Sequence, residues 1–355
     1  PESGEQESRV ADYRGPLTVG DLRPSDDLMH PVSSDASHNE SMFFNFFDSE
    51  KSIGGFVRIG NRPNEKHSEM TFCLFLPDGS LLMQWAKPSL EGNAGFAAGG
   101  LEFSVEDPGR HLRVIYRGTT KRIADPYRMR EPGPAMRSSP DVQVNLDLDV
   151  LGVGPMIGDR TGDRADSVIF LDGVGHYQQP IEARGKISVD GWQKDLLMSG
   201  VRDHSWGKRV WSSIFKDRSI WISYGESLTF IVCKTWLDAD GSPDEMGCIV
   251  EYGEVTPFES IDISSHFRED SYYHDALRLE LGDAAGRKFV VDGRVIAYVP
   301  LRHRHPERPT VYLGQAMTDF TFDGKRTLGL SEYFDAEFGT DALIAVSRRD
   351  GSVHE

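Results

Sequence analysis

Short apolar runs separated by turn residues dominate the chain. Ser41-Met-Phe-Phe-Asn-Phe-Phe-Asp, Gly54-Gly-Phe-Val-Arg-Ile-Gly and Glu69-Met-Thr-Phe-Cys-Leu-Phe-Leu are of strand length and bounded by Gly, Pro, Asn or Asp. Ile220-Trp-Ile-Ser-Tyr-Gly, Thr229-Phe-Ile-Val-Cys-Lys-Thr-Trp and Cys248-Ile-Val-Glu-Tyr-Gly repeat the pattern with more aromatics. Arg278-Leu-Glu-Leu and Arg294-Val-Ile-Ala-Tyr-Val-Pro alternate as half-buried strands should. Asp-Gly pairs begin at Asp78, Asp172, Asp190, Asp240, Asp292 and Asp323. They predict hairpins, because Gly accepts the positive φ that tight turns demand. Helical periodicity is scarce and no βαβ alternation occurs, so the pattern predicts an all-β chain of antiparallel meanders, forming barrels or sandwiches. Residues 1–30, rich in Asp, Pro and Gly, predict an N-terminal arm. The stretch from Arg117 to Pro140, basic and rich in Pro and Met, predicts a long excursion with a helical turn, placed as a lid.

Length and charge narrow the functional classes. The 355 residues suit two domains, placed here at 31–195 and 196–355 after the arm. A net charge of −17 argues against nucleic acid, whose phosphates need a basic surface, and against binding anionic membranes by charge. No apolar run is long enough to span a bilayer. Cys73, Cys233 and Cys248 are too widely spaced for a disulfide framework or zinc knuckle. They read as free thiols in a reducing cytoplasm. Gly95-Phe-Ala-Ala-Gly-Gly lacks the Lys-Ser/Thr of a phosphate loop and the spacing of a dinucleotide fingerprint.

The densest chemistry lies in Gly200-Val-Arg-Asp-His-Ser-Trp-Gly-Lys-Arg. An Asp beside a His supplies a carboxylate and a side chain that titrates near neutrality. In an extended strand Arg202, His204 and Trp206 share one face, and Asp203 and Ser205 the other. Adjacent Asp-His-Ser therefore cannot converge as a nucleophilic triad. One register slip exchanges which of Asp203 and His204 faces a cavity, so both stand as candidates. A structural network of Arg202 with Asp203, and Trp206 as plain core, is the competing reading. His303-Arg-His305 has the two-apart spacing of a metal pair but no third ligand nearby, and reads as a surface loop.

His176-Tyr-Gln-Gln-Pro, Gly185-Lys-Ile-Ser-Val-Asp-Gly and the Asp203-His-Ser-Trp-Gly stretch together resemble the AttH-like and carotenoid 1,2-hydratase-like (hydroxyneurosporene synthase) superfamily. Asn39-Glu-Ser-Met-Phe-Phe-Asn-Phe and Gly329-Leu-Ser-Glu-Tyr are similar to its opening and closing strands, so the resemblance spans about residues 38–340. It implies two lipocalin-like (calycin-type) antiparallel β-barrels packed together with few helices. It also implies acid-initiated chemistry on apolar, terpenoid-like molecules. The acidic residue thought to protonate an alkene in the hydratases matches Asp203, within a motif that differs around it.

The combined reading is a cofactor-independent acid/base enzyme of lyase, hydratase, isomerase or cyclase type, with no metal. Its substrate would be a bulky hydrophobic molecule such as a terpenoid, a steroid or a lignin-type aromatic dimer. Asp203 would be the acid or base, His204 or His176 its proton partner, and Arg202 the group holding the carboxylate. Trp206, Tyr177, Gln178, Phe44, Phe46, Trp221 and Tyr224 would line the substrate site. A homodimer is compatible with this reading. The alternative is a non-catalytic carrier of a lipophilic ligand, which predicts that Asp203 and His204 are fully paired to protein groups and do not reach the cavity.

Overall fold

In the computed structural model, residues 13–161, 174–208, 214–238, 241–268, 272–305, 308–336 and 353–354 are described, with backbone alone at 174, 303–305, 308–309 and 353–354. Eight strands build a first barrel: β1 (His38–Asp48), β2 (Ile53–Arg62), β3 (His67–Phe75), β4 (Leu81–Ala86), β5 (His111–Ile123), β6 (Asp141–Gly152), β7 (Val174–Val189) and β8 (Trp192–Lys208). Eight more build a second: β9 (Lys216–Ser223), β10 (Leu228–Trp236), β11 (Asp244–Glu251), β12 (Glu254–Phe267), β13 (His274–Asp283), β14 (Lys288–His305), β15 (Arg308–Phe322) and β16 (Lys325–Ala336). Each barrel is an antiparallel meander that closes on itself, β8 pairing with β1 and β16 with β9. The all-β, double-barrel expectation therefore holds. Closure leaves no exposed sheet edge within either ring.

The aromatic density of β1 follows from having two buried faces. Met42, Phe44 and Phe46 point into the first barrel's core, while Phe43 and Phe47 point outward into a cluster shared with the second barrel. Every residue of β1 is buried, which is why the strand shows no polar alternation. On β9, Ile220 and Ile222 fill the second barrel, and Trp221 faces the first. The outer cluster also takes in Ile231, Val299 and Leu330 of the second barrel, so the barrels adhere through apolar outer walls.

Turn chemistry sets the hairpins. Asp190 and Gly191 both have positive φ (45° and 84°) and close the two-residue loop of β7 and β8, and Asp323-Gly324 does the same for β15 and β16. Asp292-Gly293 is not a turn. It lies inside β14, where Asp292 receives a bidentate pair from Arg278 across the sheet, and the nearby reversal instead uses Gly286 (φ 79°). Asp172, Gly173 and Asp240 lie outside the described residues. The expected break at 195/196 also moves. It would cut β8 near its start, whereas all of β8 pairs within the first barrel and β9 opens the second.

Of the expected arm, residues 13–30 are docked. The turn Pro24–Asp27 enters the end of the first barrel and buries Asp26 and Asp27. Fully buried Arg202 donates from Nη1 and Nη2 to the two Asp27 oxygens at 2.7 and 2.9 Å. The Tyr177 hydroxyl and the Gly109 amide each donate to Asp27 at 2.6 Å. Burial alone would raise the Asp27 pKa, but the Arg202 charge and these donors outweigh it and hold it below the usual carboxylate range. Beside it, Glu40 Oε1 accepts from the His30 amide (2.8 Å), His30 Nδ1 (2.9 Å) and His204 Nε2 (3.2 Å). Burial opposes ionisation of Glu40 as well, yet the two imidazoles pull its pKa down to about 2. No helix among the described residues is long and apolar enough to cross a membrane.

Two outcomes follow for stability. Asp27→Asn leaves Arg202 buried without its counter-charge and should lower the unfolding free energy in urea by about 3 kcal/mol. A loss below about 1 kcal/mol would mean the plug is dispensable. Both carboxylates titrate lower folded than unfolded, so their contribution is complete above about pH 5 and is lost as the pH falls, for Glu40 through about 2. Glu40→Gln should flatten that acid limb in a pH series of melting curves. Separately, a Cβ on Gly200 would sit 1.9 Å from the Asn45 carbonyl oxygen where β8 meets β1. Gly200→Ala should therefore cost about 1–3 kcal/mol in the same denaturation assay.

Candidate functional site

Strand register alone assembles the site. Directly paired residues share a face, and one row across the first barrel's outer wall reads Gln178, Asp203, Phe43, Arg58, Thr71 and Trp85. The adjoining row reads His176, Ser205, Ser41, Gly60 and Glu69. Opposite them, the second barrel presents Trp221, Gln315, Glu332 and Phe334. A cavity of about 670 Å³ lies between these walls. Phe43, Phe56, Met83 and Trp221 make it largely apolar, and Asp203, Ser41, Ser205, Arg58 and Glu69 form a polar patch on one side.

The excursion after β5 covers this space. Asp125 accepts a hydrogen bond from the Tyr127 amide and opens the turn Pro126–Arg130, and the short helix α1 (Pro132–Ser138) follows with proline in its first turn. Met129 and Met136 reach the cavity, and Tyr127 stacks on Tyr298 of the second barrel with ring centroids 5.8 Å apart. The segment expected as a lid thus borders the cavity and rests on both barrels.

Asp203 is a carboxylate with spare capacity. Its Oδ2 lies 3.5 Å from His176 Nε2, and it accepts no hydrogen bond among the described residues. His176 is buried, and neither ring nitrogen has a hydrogen-bond partner among those residues. Arg58 adds positive charge beside Asp203 and faces Glu69 at 3.6 Å. Burial lowers the Arg58 pKa against the pull of Glu69. Glu69, for its part, is held below its ordinary value because Arg58 and Arg62 outweigh its burial. Trp221 donates from Nε1 to Gln178 Oε1 at 2.7 Å, so a side chain of one barrel fixes a ring on the other.

The residues selected from the sequence separate into groups. Asp203 and Trp221 line the cavity, with His176 and Gln178 immediately behind them. Arg202 does not hold Asp203. The pleat turns it into the barrel, where it binds Asp27 together with Tyr177. His204 and Trp206 point the same inward way, His204 onto Glu40 and Trp206 stacked on His30 at 3.8 Å. The Trp206 ring also lies against the Gly175 backbone, where a Cβ would approach it to 2.2 Å. Phe44 and Phe46 fill the first barrel's core, and Tyr224 packs against the second barrel's core, its hydroxyl reaching the Lys325 carbonyl. Arg58, Glu69, Gln315 and Glu332 were not selected, although a charge inside an otherwise apolar strand, as in Phe56-Val-Arg-Ile, is the signal that marks Arg58.

One other cluster has metal-ligand chemistry, because donor atoms of His30, Glu40 and His204 lie within 4.8 Å of one another. Glu40 Oε1 already accepts three N–H groups, and Oε2 takes the Asn93 amide. That arrangement satisfies the carboxylate through hydrogen bonds and makes the cluster part of the plug. The side chains of His303 and His305 lie outside the described ones.

Comparison with solved structures gives the fold. CghA superimposes with a TM-score of 0.51 at 12% identity, covering 90% of this chain and 97% of that one. CghA with Sch210972 gives the same score and identity over 86% and 89%. Kievitone hydratase from Nectria haematococca gives 0.51 at 9% identity over 88% and 94%. The double-barrel architecture is thus shared along nearly the whole chain, as the AttH-like resemblance implied. No curated protein matches the sequence. Residues 23–337 match the family described as a domain of unknown function, DUF7064, and the chain belongs to that family.

Proposed function

We propose that this protein is an acid/base enzyme of the lyase or hydratase type acting on a bulky, largely hydrophobic small molecule in the cavity between its barrels. The observation behind this reading is the Asp203 carboxylate, which has His176 at 3.5 Å behind it and accepts no hydrogen bond from a described residue, on the wall of an apolar cavity large enough for a drug-sized ligand. A carrier has no need of such a group, since a carboxylate beside an apolar ligand weakens binding. The neighbours support the same class: one is named a hydratase, and another was solved with the compound Sch210972.

The chemistry follows from the placement. Asp203 takes a proton from a carbon or hydroxyl of the substrate in one direction and returns it in the other. His176 accepts or supplies that proton from behind the carboxylate. Ser41 and Ser205 offer hydroxyls to a departing or entering oxygen, and Arg58 steadies negative charge that develops beside Asp203. Phe43 and Trp221 provide aromatic faces for the hydrocarbon body, and the lid limits water. Elimination or addition of water, ring opening and double-bond migration all use this set of groups, and none of them needs a redox cofactor.

The test is an untargeted depletion assay. Wild-type protein is incubated with mixed terpenoid, steroid and aromatic-dimer compounds and read by mass spectrometry, with Asp203→Asn in parallel. Wild type should deplete one compound, and Asp203→Asn should slow that turnover by about 10²–10⁴-fold while still binding it. His176→Asn should slow turnover less and displace its pH optimum. If wild type and Asp203→Asn both retain the same compound unchanged, the protein is a carrier.

A further inference from the structure

The chain is acidic overall (net −17), yet the lid is basic. Residues 126–138 contain Arg128, Arg130 and Arg137 against a single acid, Glu131. Arg137, on α1, lines the cavity from the lid, and Arg302, on β14, lines it from the second barrel. The other charged groups on the walls have partners or a place in the chemistry above: Arg58 faces Glu69, Gln315 donates to Glu332, and Asp203 meets His176. Arg137 and Arg302 differ from these. Among the described residues neither has a carboxylate partner, and Arg302 is partly buried. A partly buried guanidinium with no counter-charge among the described residues, at the edge of an apolar cavity, favours an anion beside it. In an acidic protein such a spot also focuses attraction for anions that the rest of the surface repels.

We propose that the cavity's ligand is an amphipathic anion. Its hydrocarbon body lies along Phe43, Phe56 and Trp221, and its carboxylate or comparable acidic group is held between Arg137 and Arg302. The inference rests on the cavity being the substrate site but not on Asp203 being its acid or base. It adds two features: the substrate class is a hydrophobic acid, and the acid group links the lid to the second barrel. Because one arginine sits on the lid and the other on β14, a bound anion bridges them and holds the cavity shut around the reacting end. A neutral molecule of the same shape fills the cavity without making this bridge.

Two probes that share an aromatic body and differ in charge provide the test. These are 1-anilinonaphthalene-8-sulfonate and the neutral N-phenyl-1-naphthylamine, titrated by fluorescence on the full chain, with mutual competition placing both in one cavity. Replacing both arginines (Arg137→Gln with Arg302→Gln) should weaken the sulfonate by about tenfold or more and leave the neutral probe within about twofold. Added salt should weaken only the sulfonate, and only on wild type. On an Asp203→Asn background the double arginine replacement should still weaken the sulfonate by about tenfold and spare the neutral probe, which separates this proposal from the catalytic one. Equal weakening of both probes would show that the arginines only shape the cavity, and an unchanged sulfonate affinity would show that they do not read charge. Either result overturns the proposal, as does failure of both probes to bind wild type.

Discussion

The two-residue period of β8 is the constraint on which the rest of the molecule depends. Successive side chains leave a strand on opposite sides, so Arg202, His204 and Trp206 enter the barrel and Asp203 and Ser205 leave it. Both sides of this strand are covered, one by the N-terminal plug and the other by the second barrel. A single strand therefore separates an ion-paired polar network from a carboxylate that faces the cavity. Inside, Arg202 and His204 are consumed by Asp27 and Glu40. Outside, Asp203 meets His176 and otherwise faces the cavity.

The electrostatics of the two sides differ for the same reason. Within the barrel Arg202 is neutralised by Asp27 and Glu40 is held by several hydrogen bonds, because an unpaired ion is costly there. At the cavity the apolar walls supply few hydrogen-bond partners, so the Asp203 carboxylate there has only His176 beside it. Rigidity comes from the Trp221–Gln178 hydrogen bond and the outer cluster of both barrels, which hold the opposing walls in place.

Much of this was legible in the sequence, and what was not has identifiable causes. The strand runs and the turns at Asp190 and Asp323 led to the meanders, and the pleat argument separated Asp203 from its neighbours correctly. Which face was inward remained open, because both faces of β8 carry titratable groups and a slip of one residue exchanges them. Arg202 was matched with Asp203 because they are adjacent, whereas its partner, Asp27, lies 175 residues away in a segment with no periodicity of its own. Phe44 and Phe46 could not be told from Phe43 by composition, since aromatic residues serve both the core and the cavity wall. Asp292-Gly293 misled because a turn dipeptide can sit within a strand when a cross-strand ion pair holds it there.

The closing of each ring by its first and last strands fixes when the site can exist. Strand β1 cannot meet β8 until the chain is complete to Lys208, and β9 waits for β16, which ends at Ala336. Such pairings have high contact order, so ring closure comes late and slowly during folding. Asp203 lies on one closing strand and Trp221 on another. A chain released from synthesis before its last strand would have neither a sealed second barrel nor a second cavity wall. The complete cavity therefore exists only once both rings have closed.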